Sequence, residues 1–338
     1  MADSNTSLTV WHVGRCGEVA GGMTQVINAY LNWQFDQVQV RVIQSRDGST
    51  GLPALWLFFK ALLKTLALPF RSRSGVVVVH LSQGGSFYRE GGLLILAKWF
   101  GYGTVAQLHG SRFAEFSRRK PRLVKTVLGA ANRVHVLSEE TGNIVSSMMP
   151  ANRVVYIPNA VPSGKQVAKE KLVVFGGSVC HRKGVDVLLD AWRQLDSSGW
   201  RLVVAGPIAD INVPNDLDNV EFPGAVPHQS LMNYLDRAEI AVLPSRDEAM
   251  PMFILEALAR RCCVISTTVG GIAKVLGEGR GLLASPGDVD TLKACFEQAF
   301  EGSQREEIAE KGHCSFQREF SSEAVYPNLE ALWYSVAN

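Results

Sequence analysis

Two carboxylates frame the most informative stretch of this sequence. Glu248 and Glu256, with seven residues between them, lie within residues 238–271, AEIAVLPSRDEAMPMFILEALARRCCVISTTVGG. Residues 238–243 are an apolar run ended by Pro244 and Ser245, residues 254–259 are helix-forming and residues 263–266 are apolar again. The order is therefore strand, loop, helix, strand. Pro251 has no N–H to lose and suits a first helical turn, so the helix opens at Met250, Pro251 and Met252. It closes near Arg260 and Arg261, whose charges suit the C-terminal end of the dipole. The free N–H groups at its opening face the end of the preceding strand, where an open α/β sheet binds ligands and a phosphate is favoured. Glu256 lies about 7 to 8 Å along the axis from Pro251, and its side chain leans back toward the N-terminus. A carboxylate beside an anion site repels phosphate but accepts well from hydroxyls. A sugar nucleotide alternates hydroxyls, diphosphate and hydroxyls in that way; Glu256 would take the ribose and Glu248 the sugar. Without the strand, the proline and the glycine turn that follows, the acidic pair would read as solvated helix charges.

Other stretches offer groups of the same kind. After a first strand at 8–13, the loop GRCGEVAGGMTQ brings Gly21 and Gly22 to the start of a helical run at 24–35, with a tight turn and open N–H groups. The loop is not GxGxxG, so no dinucleotide fingerprint stands where one belongs. Gly101, Gly103 and Ala106 match GxGxxA but precede a strand, which makes that match fortuitous. His109 closes a strand at 104–108, and a residue so placed points into the crevice of a parallel sheet. It reads either as a satisfied strand-end residue or as a group that positions a hydroxyl, with no base role required. The run that follows carries Arg112, Arg118, Arg119, Lys120, Arg122 and Lys125 against the single Glu115. Such a run is a solvated face or a hold on an anionic acceptor such as a diphosphate-linked lipid.

The bulk numbers place these groups in an ordinary globular protein. The 338 residues are 46% hydrophobic and 20% charged, enough chain for two domains. The net charge of +2 conceals an asymmetry: residues 1–165 carry 18 Lys and Arg against 8 Asp and Glu, and residues 166–338 carry 16 against 24. A basic half suits a phosphate-bearing substrate or an anionic membrane surface, and no nucleic-acid signature is present. The six cysteines form no CxxC pair and no His spacing suggests zinc, so no metal is expected. Residues 1–15 have no apolar core of a signal peptide, which points to the cytoplasm. Residues 52–70, LPALWLFFKALLKTLALPF, are interrupted by Lys60 and Lys64 and bracketed by prolines, and the uninterrupted apolar run is too short to cross a bilayer. They read first as a buried or half-buried helix, and second as a helix resting on lipid through Trp56, Phe58 and Phe59, with Lys60, Lys64, Arg71 and Arg73 at headgroups.

The pattern of Glu248, seven residues and Glu256, followed by the ValGlyGly of 269–271, resembles the donor signature of the GT4 family of retaining glycosyltransferases. The resemblance extends to Gly21 and Gly22, to His109 with Gly110, and to IPNAVP at 157–162. It implies a GT-B fold: α/β, two facing Rossmann-like domains with an interdomain cleft. The expected parts are an N-terminal acceptor-binding domain over 1–162, a C-terminal nucleotide-sugar domain over 163–318 and a terminal helix over 319–338 that crosses back. It implies sugar contacts for His109 and Glu248, and diphosphate contacts for Lys183 and the helix opening. The segment ending at Val226 would read the nucleobase through its backbone. Ser178 stands where the family carries an Arg, which leaves Arg182 as the substitute. Ala249 occupies a position often Gly, and Arg261, Cys262 and Cys263 replace a common Gly-x-Pro turn, so the donor sugar is in doubt.

The expected activity is transfer of a hexose-type sugar from a UDP or GDP sugar to a hydroxyl of a glycan or lipid-linked acceptor in surface polysaccharide synthesis. No cofactor is expected, and peripheral contact with the cytoplasmic membrane is. A sugar-nucleotide epimerase and a nucleotide-sugar binding protein without turnover are the rivals.

Overall fold

The computed structural model describes residues 7–17, 21–71, 75–214, 217 and 219–337. The chain divides into two compact units, Met1–Asn159 with Val325–Asn338, and Ala160–Ala324.

In the first unit, β1 (Leu8–Arg15), β2 (Val38–Arg46), β3 (Val76–Leu81), β4 (Gly103–Leu108), β5 (Arg133–Val136) and β6 (Val154–Tyr156) form one sheet in the order β2-β1-β3-β4-β5-β6. Every pairing is parallel. Parallel strands need crossover connections, whose helices cover both faces of the sheet. The strands therefore carry near-continuous apolar runs, and every residue of β3 (VVVVHL) and β4 (GTVAQL) is buried. His12 in β1, His80 in β3, Thr104 and Gln107 in β4 and His135 in β5 are among the polar residues this burial has to accommodate.

The final helix, Ser322–Tyr334, spans the boundary between the units, and residues from Val325 onward belong to the first. Trp333 meets the rings of His12, Tyr30 and Phe35 at centroid distances of 5.2, 5.9 and 5.1 Å, and Tyr326 meets Tyr30 at 5.6 Å. Gly103 serves this tail, because a Cβ there would meet the Val336 carbonyl oxygen at 2.0 Å. Only glycine admits so close an approach.

The apolar segment at 52–70 is half-buried rather than buried, the lesser of the two degrees its first reading allowed. It forms helices Gly51–Leu66 and Leu68–Arg71, but only Ala61 and Thr65 of the longer one are buried. Leu52 is 80% exposed, Trp56 57% and Phe70 92%, and Leu55, Phe59, Leu63 and Leu66 are exposed as well. Apolar residues occupy nearly every position of this helix, so one sheet-facing stripe cannot bury them all. Arg73 lies outside the described residues. No described helix is long and apolar enough to cross a membrane.

In the second unit, β7 (Glu170–Gly176), β8 (Arg201–Ala205), β9 (Val220–Gly224), β10 (Ala238–Leu243), β11 (Cys263–Thr267) and β12 (Leu282–Ala284) form a second parallel sheet in the order β12-β11-β10-β7-β8-β9. The last of these is a strand that the turn-rich sequence around Gly277, Gly279 and Gly281 conceals. The strand order reverses between β7 and β10. The loops leaving these two strands diverge there and open a crevice at their carboxyl ends. In the first sheet the reversal falls between β1 and β3.

Trp333→Ala removes the largest ring seating the tail on the first unit. It is expected to cost about 3 to 5 kcal/mol, read as a lowered midpoint in urea unfolding.

Candidate functional site

The carboxyl ends of β7 and β10 gather the second unit's predicted residues. A 3-10 turn, His181–Lys183, follows β7 and leads through Gly184 into helix Val185–Arg193. Gly184 has φ +73°, and a Cβ there would meet the Pro244 carbonyl oxygen at 1.9 Å. The absent side chain lets the turn lie directly on the end of β10. Lys183 thereby forms an ion pair with Glu248, and Arg182 Nη1 stands 3.7 Å from the same carboxylate oxygen. Ser245 donates to Glu248 at 3.0 Å, and Arg182 donates to the Asp247 carbonyl at 2.9 Å. The side chains of Lys183 and Glu248 are 14% and 11% exposed, so the pair is shielded but still reachable.

On the other side of the loop, Gly270 (φ +53°) packs where a Cβ would meet the Glu248 carbonyl oxygen at 1.8 Å, and Gly271 N–H donates to the Ala249 carbonyl at 2.9 Å. The GlyGly turn therefore sets the loop that carries the acidic residue. Helix Met252–Ala259 begins within the expected opening of residues 250–252, with Pro251 as its extended N-cap rather than inside the first turn. Met250 and Met252 are buried and Ala249 is half-buried. At the far end Arg260 is the C-cap, and it pairs with Asp236 at 2.9 Å instead of lying free along the dipole. Arg261, at φ +54°, adopts the left-handed conformation that a glycine would take without strain.

Glu256 is 5% exposed and accepts from His228 Nε2 at 2.8 Å. His228 opens helix His228–Arg237, two residues after the half-buried Val226. The sequence reading missed His228 and Ser245; the place of His228 just past the Val226 segment was the signal available for it. Ser178 faces the Pro207 carbonyl at 3.5 Å and adds no charge. Arg246, next to the loop, is committed to Asp186 through two contacts of 2.7 Å.

The first unit holds the remaining predicted residues. Gly21 is the N-cap of helix Gly22–Asn32, and residues 18–20 of its loop lie outside the described residues. Helices Phe113–Arg119 and Pro121–Gly129 carry the basic run, with Arg112 capping the first. Arg112, Arg118, Arg119 and Lys120 are exposed, and Arg119 pairs with Glu115 at 2.6 Å. His109 stands half-buried just past β4. Its Nε2 lies 2.8 Å from His80 Nδ1, and His80 Nε2 lies 2.9 Å from His12 Nδ1. Sequence reading found His109 and missed the two behind it, because one His in each of two apolar strands leaves no local pattern.

Burial holds these rings neutral. Desolvation, then the neighbouring His135, takes His12 down to about 3, and desolvation takes His135 to about 4 against a carbonyl bond that opposes it. His80 lies well below its ordinary value, and the half-buried His109 shifts the same way. Among the described residues no group of three or more His, Cys, Asp or Glu is arranged to hold a metal ion.

With the geometry in view, comparison with known proteins is informative. Residues 170–301 match the family model for glycosyl transferases group 1. The chain is 28% identical over 241 residues to TuaC of Bacillus subtilis, a glycosyltransferase named for teichuronic acid biosynthesis, covering 64% of this chain and 60% of that one. It is 25% identical over 304 residues to the 2-deoxystreptamine N-acetyl-D-glucosaminyltransferase of Streptomyces fradiae, covering 78% and 72%. Several matches are partial: those to TuaC, to an archaeal glycosyltransferase and to a plant glucosaminyltransferase subunit span 60%, 48% and 45% of those proteins. Among solved structures, HepE of Anabaena in complex with UDP and glucose superposes with a TM-score of 0.74 at 14% identity, covering 97% of this chain and 100% of that one. At that identity the likeness carries the fold, which is GT-B, as the two doubly wound parallel units indicate.

The neutral histidines carry a prediction. Above about pH 6.5 the rings are uncharged in both folded and unfolded chains and add no pH dependence. Below it the unfolded chain binds protons that the folded one refuses, so stability falls by about 1.4 kcal/mol per pH unit per ring until the folded values near 3 to 4 are reached. His12 and His135 together are expected to remove about 3 kcal/mol between pH 6.5 and 5. Denaturant unfolding across that range measures it, and a flat profile would contradict the burial of neutral rings.

Proposed function

We propose that this chain, whose residues 170–301 match the family model for glycosyl transferases group 1, moves a hexose-type sugar from a nucleotide-diphosphate sugar to a hydroxyl of a glycan or lipid-linked acceptor, with retention at the anomeric carbon. The observation that carries the reading is the pairing of Lys183 with Glu248 beside the opening of helix Met252–Ala259. A cation, an accepting carboxylate and free helical N–H groups at one switch point match the successive parts of a sugar diphosphate.

In this reading donor binding divides the resting pair. The diphosphate takes Lys183, Arg182 and the helix opening, and the sugar hydroxyls take Glu248. Breaking the glycosidic bond leaves negative charge on the diphosphate, and these groups stabilise it where it develops. Their positive charge makes a metal unnecessary for that task. Glu256, oriented by His228, receives the ribose hydroxyls, and the backbone up to Val226 meets the base, of UDP or GDP type. Glu248 orients the sugar rather than attacking it, and a diphosphate oxygen assists removal of the acceptor proton from the same face.

For the acceptor, the reading uses the first unit's exposed groups. Trp56 and Phe59 stack at 5.8 Å on the exposed side of helix Gly51–Leu66, with Lys60 over Trp56 at 5.3 Å. Aromatic rings with neighbouring ammonium groups suit the boundary between acyl chains and anionic headgroups. That contact would hold the protein at the cytoplasmic face of a membrane where a lipid-linked acceptor resides. Arg112, Arg118, Arg119 and Lys120 would meet the acceptor's phosphates. Surface polysaccharide synthesis is the process this reading implies; TuaC is named for teichuronic acid biosynthesis.

Measurements of nucleotide binding, of sugar transfer and its product, and of vesicle association test it. Thermal shift with UDP, GDP and ADP should show one base preferred, because a ligand bound only by the folded chain raises stability. Lys183→Ala should weaken that nucleotide about tenfold or more, in line with loss of a charged hydrogen bond. Glu248→Ala should retain the nucleotide and lose transfer by about a hundredfold or more. A chain that neither binds a nucleoside diphosphate nor transfers sugar from any donor would refute the reading, and a product of inverted anomeric configuration would refute retention. Sedimentation with phosphatidylglycerol vesicles should fall when Trp56 and Phe59 become Ser; equal sedimentation of both proteins would remove the membrane contact.

A further inference from the structure

His12, His80 and His109 are joined in series across the switch point of the first sheet. The contacts are 2.9 Å from His12 Nδ1 to His80 Nε2 and 2.8 Å from His80 Nδ1 to His109 Nε2, and the His80 and His109 rings stack with centroids 5.0 Å apart. The first two rings are fully buried, and only His109 reaches the end of its strand. Burial, first of all, disfavours the charged form of each ring. A neutral imidazole carries one N–H, so the series has two arrangements.

With protons on every Nδ1, each ring donates outward, from His12 to His80 to His109. With protons on every Nε2, each donates inward and the last N–H is that of His12 Nε2. That nitrogen is sealed from solvent and has no hydrogen-bond partner. Its nearest surroundings are aromatic, with Trp333 edge-on at 5.2 Å and Tyr30 at 5.1 Å. An N–H facing a ring is a second-order interaction. Orphaned buried N–H groups are rarer than under-satisfied acceptors. The outward arrangement leaves a bare acceptor nitrogen there instead of an orphaned donor.

We infer that His12 and His80 are positioning residues that hold His109 in its Nδ1–H form, so that its open edge is a hydrogen-bond donor to an oxygen of the ligand and not a proton acceptor. The ring nitrogen that carries the proton is decided by the bond the other nitrogen makes. His109 is thereby fitted to a hydroxyl or carbonyl oxygen and unfitted to general-base work. The inference rests on the reading of His109 as a contact to the transferred sugar only for the identity of that oxygen.

The test uses the full chain labelled with ring-15N histidine and long-range proton–nitrogen correlation at pH 7.5, with His109 identified by loss of its signals in His109→Gln. The wild-type spectrum should show a protonated Nδ1 and a bare Nε2 at His109. His80→Phe should abolish that preference and lower kcat about tenfold or more, as expected for a misplaced tautomer, with nucleotide affinity unchanged. His80→Gln, whose amide can donate toward His109 and accept from His12, should restore the tautomer and kcat to within about threefold. A wild-type His109 protonated at Nε2 overturns the inference without reference to any variant's folding. Equal losses in His80→Phe and His80→Gln also overturn it, because they would reduce His80 to a packing residue. The Nδ1–H signature in a protein that transfers no sugar would support the tautomer assignment and sink the transferase reading alone.

Discussion

A parallel sheet has to reverse its strand order somewhere if helices are to cover both of its faces, and at the reversal two neighbouring loops leave in opposite directions. That constraint determines where this protein can hold a ligand. In the second unit it falls between β7 and β10, and the loops that leave there carry Lys183 and Glu248. Neither side chain would reach the other if Gly184 had a Cβ, since the turn bearing the lysine would be pushed off the end of β10. The chemistry of the site therefore depends on a steric vacancy in the backbone as much as on the charged groups.

The same constraint in the first unit has a different outcome. The reversal lies between β1 and β3, whose His12 and His80 meet across it. Here the polar groups are buried and uncharged, and they work by hydrogen-bond direction instead of charge. A charged pair can be divided by an incoming anion, whereas a neutral series holds its order because each ring's second nitrogen is already engaged. The two units thus present groups of opposite adaptability, one able to exchange partners and the other set in advance.

Much of this was legible in the chain. Apolar runs punctuated by glycine and proline located ten of the twelve strands, all but the three-residue β6 and β12, and the acidic pair with its following GlyGly identified the loop that matters. Pro251 announced the helix within a residue of its observed start. Legibility failed where the information is non-local. Helix Gly51–Leu66 has the composition of a core helix, and nothing in its own residues reveals that only Ala61 and Thr65 are fully buried while Phe58 and Leu62 pack partly against the core. His228 reaches Glu256, and Ser245 reaches Glu248, through contacts that depend on how loops fold over one another.

The sequence by itself determined the class of the protein: two α/β halves, a parallel arrangement and a phosphate-suited helix opening flanked by carboxylates. These follow from periodicity, from propensity and from the chemistry of side chains a few residues apart, all of which act locally. Tertiary structure alone decided which side chains meet. Lys183 and Glu248 are 65 residues apart in the chain, and His12 and His80 are 68 apart. Such pairs are joined only when strand order and close backbone approach are set by the packing of the whole unit.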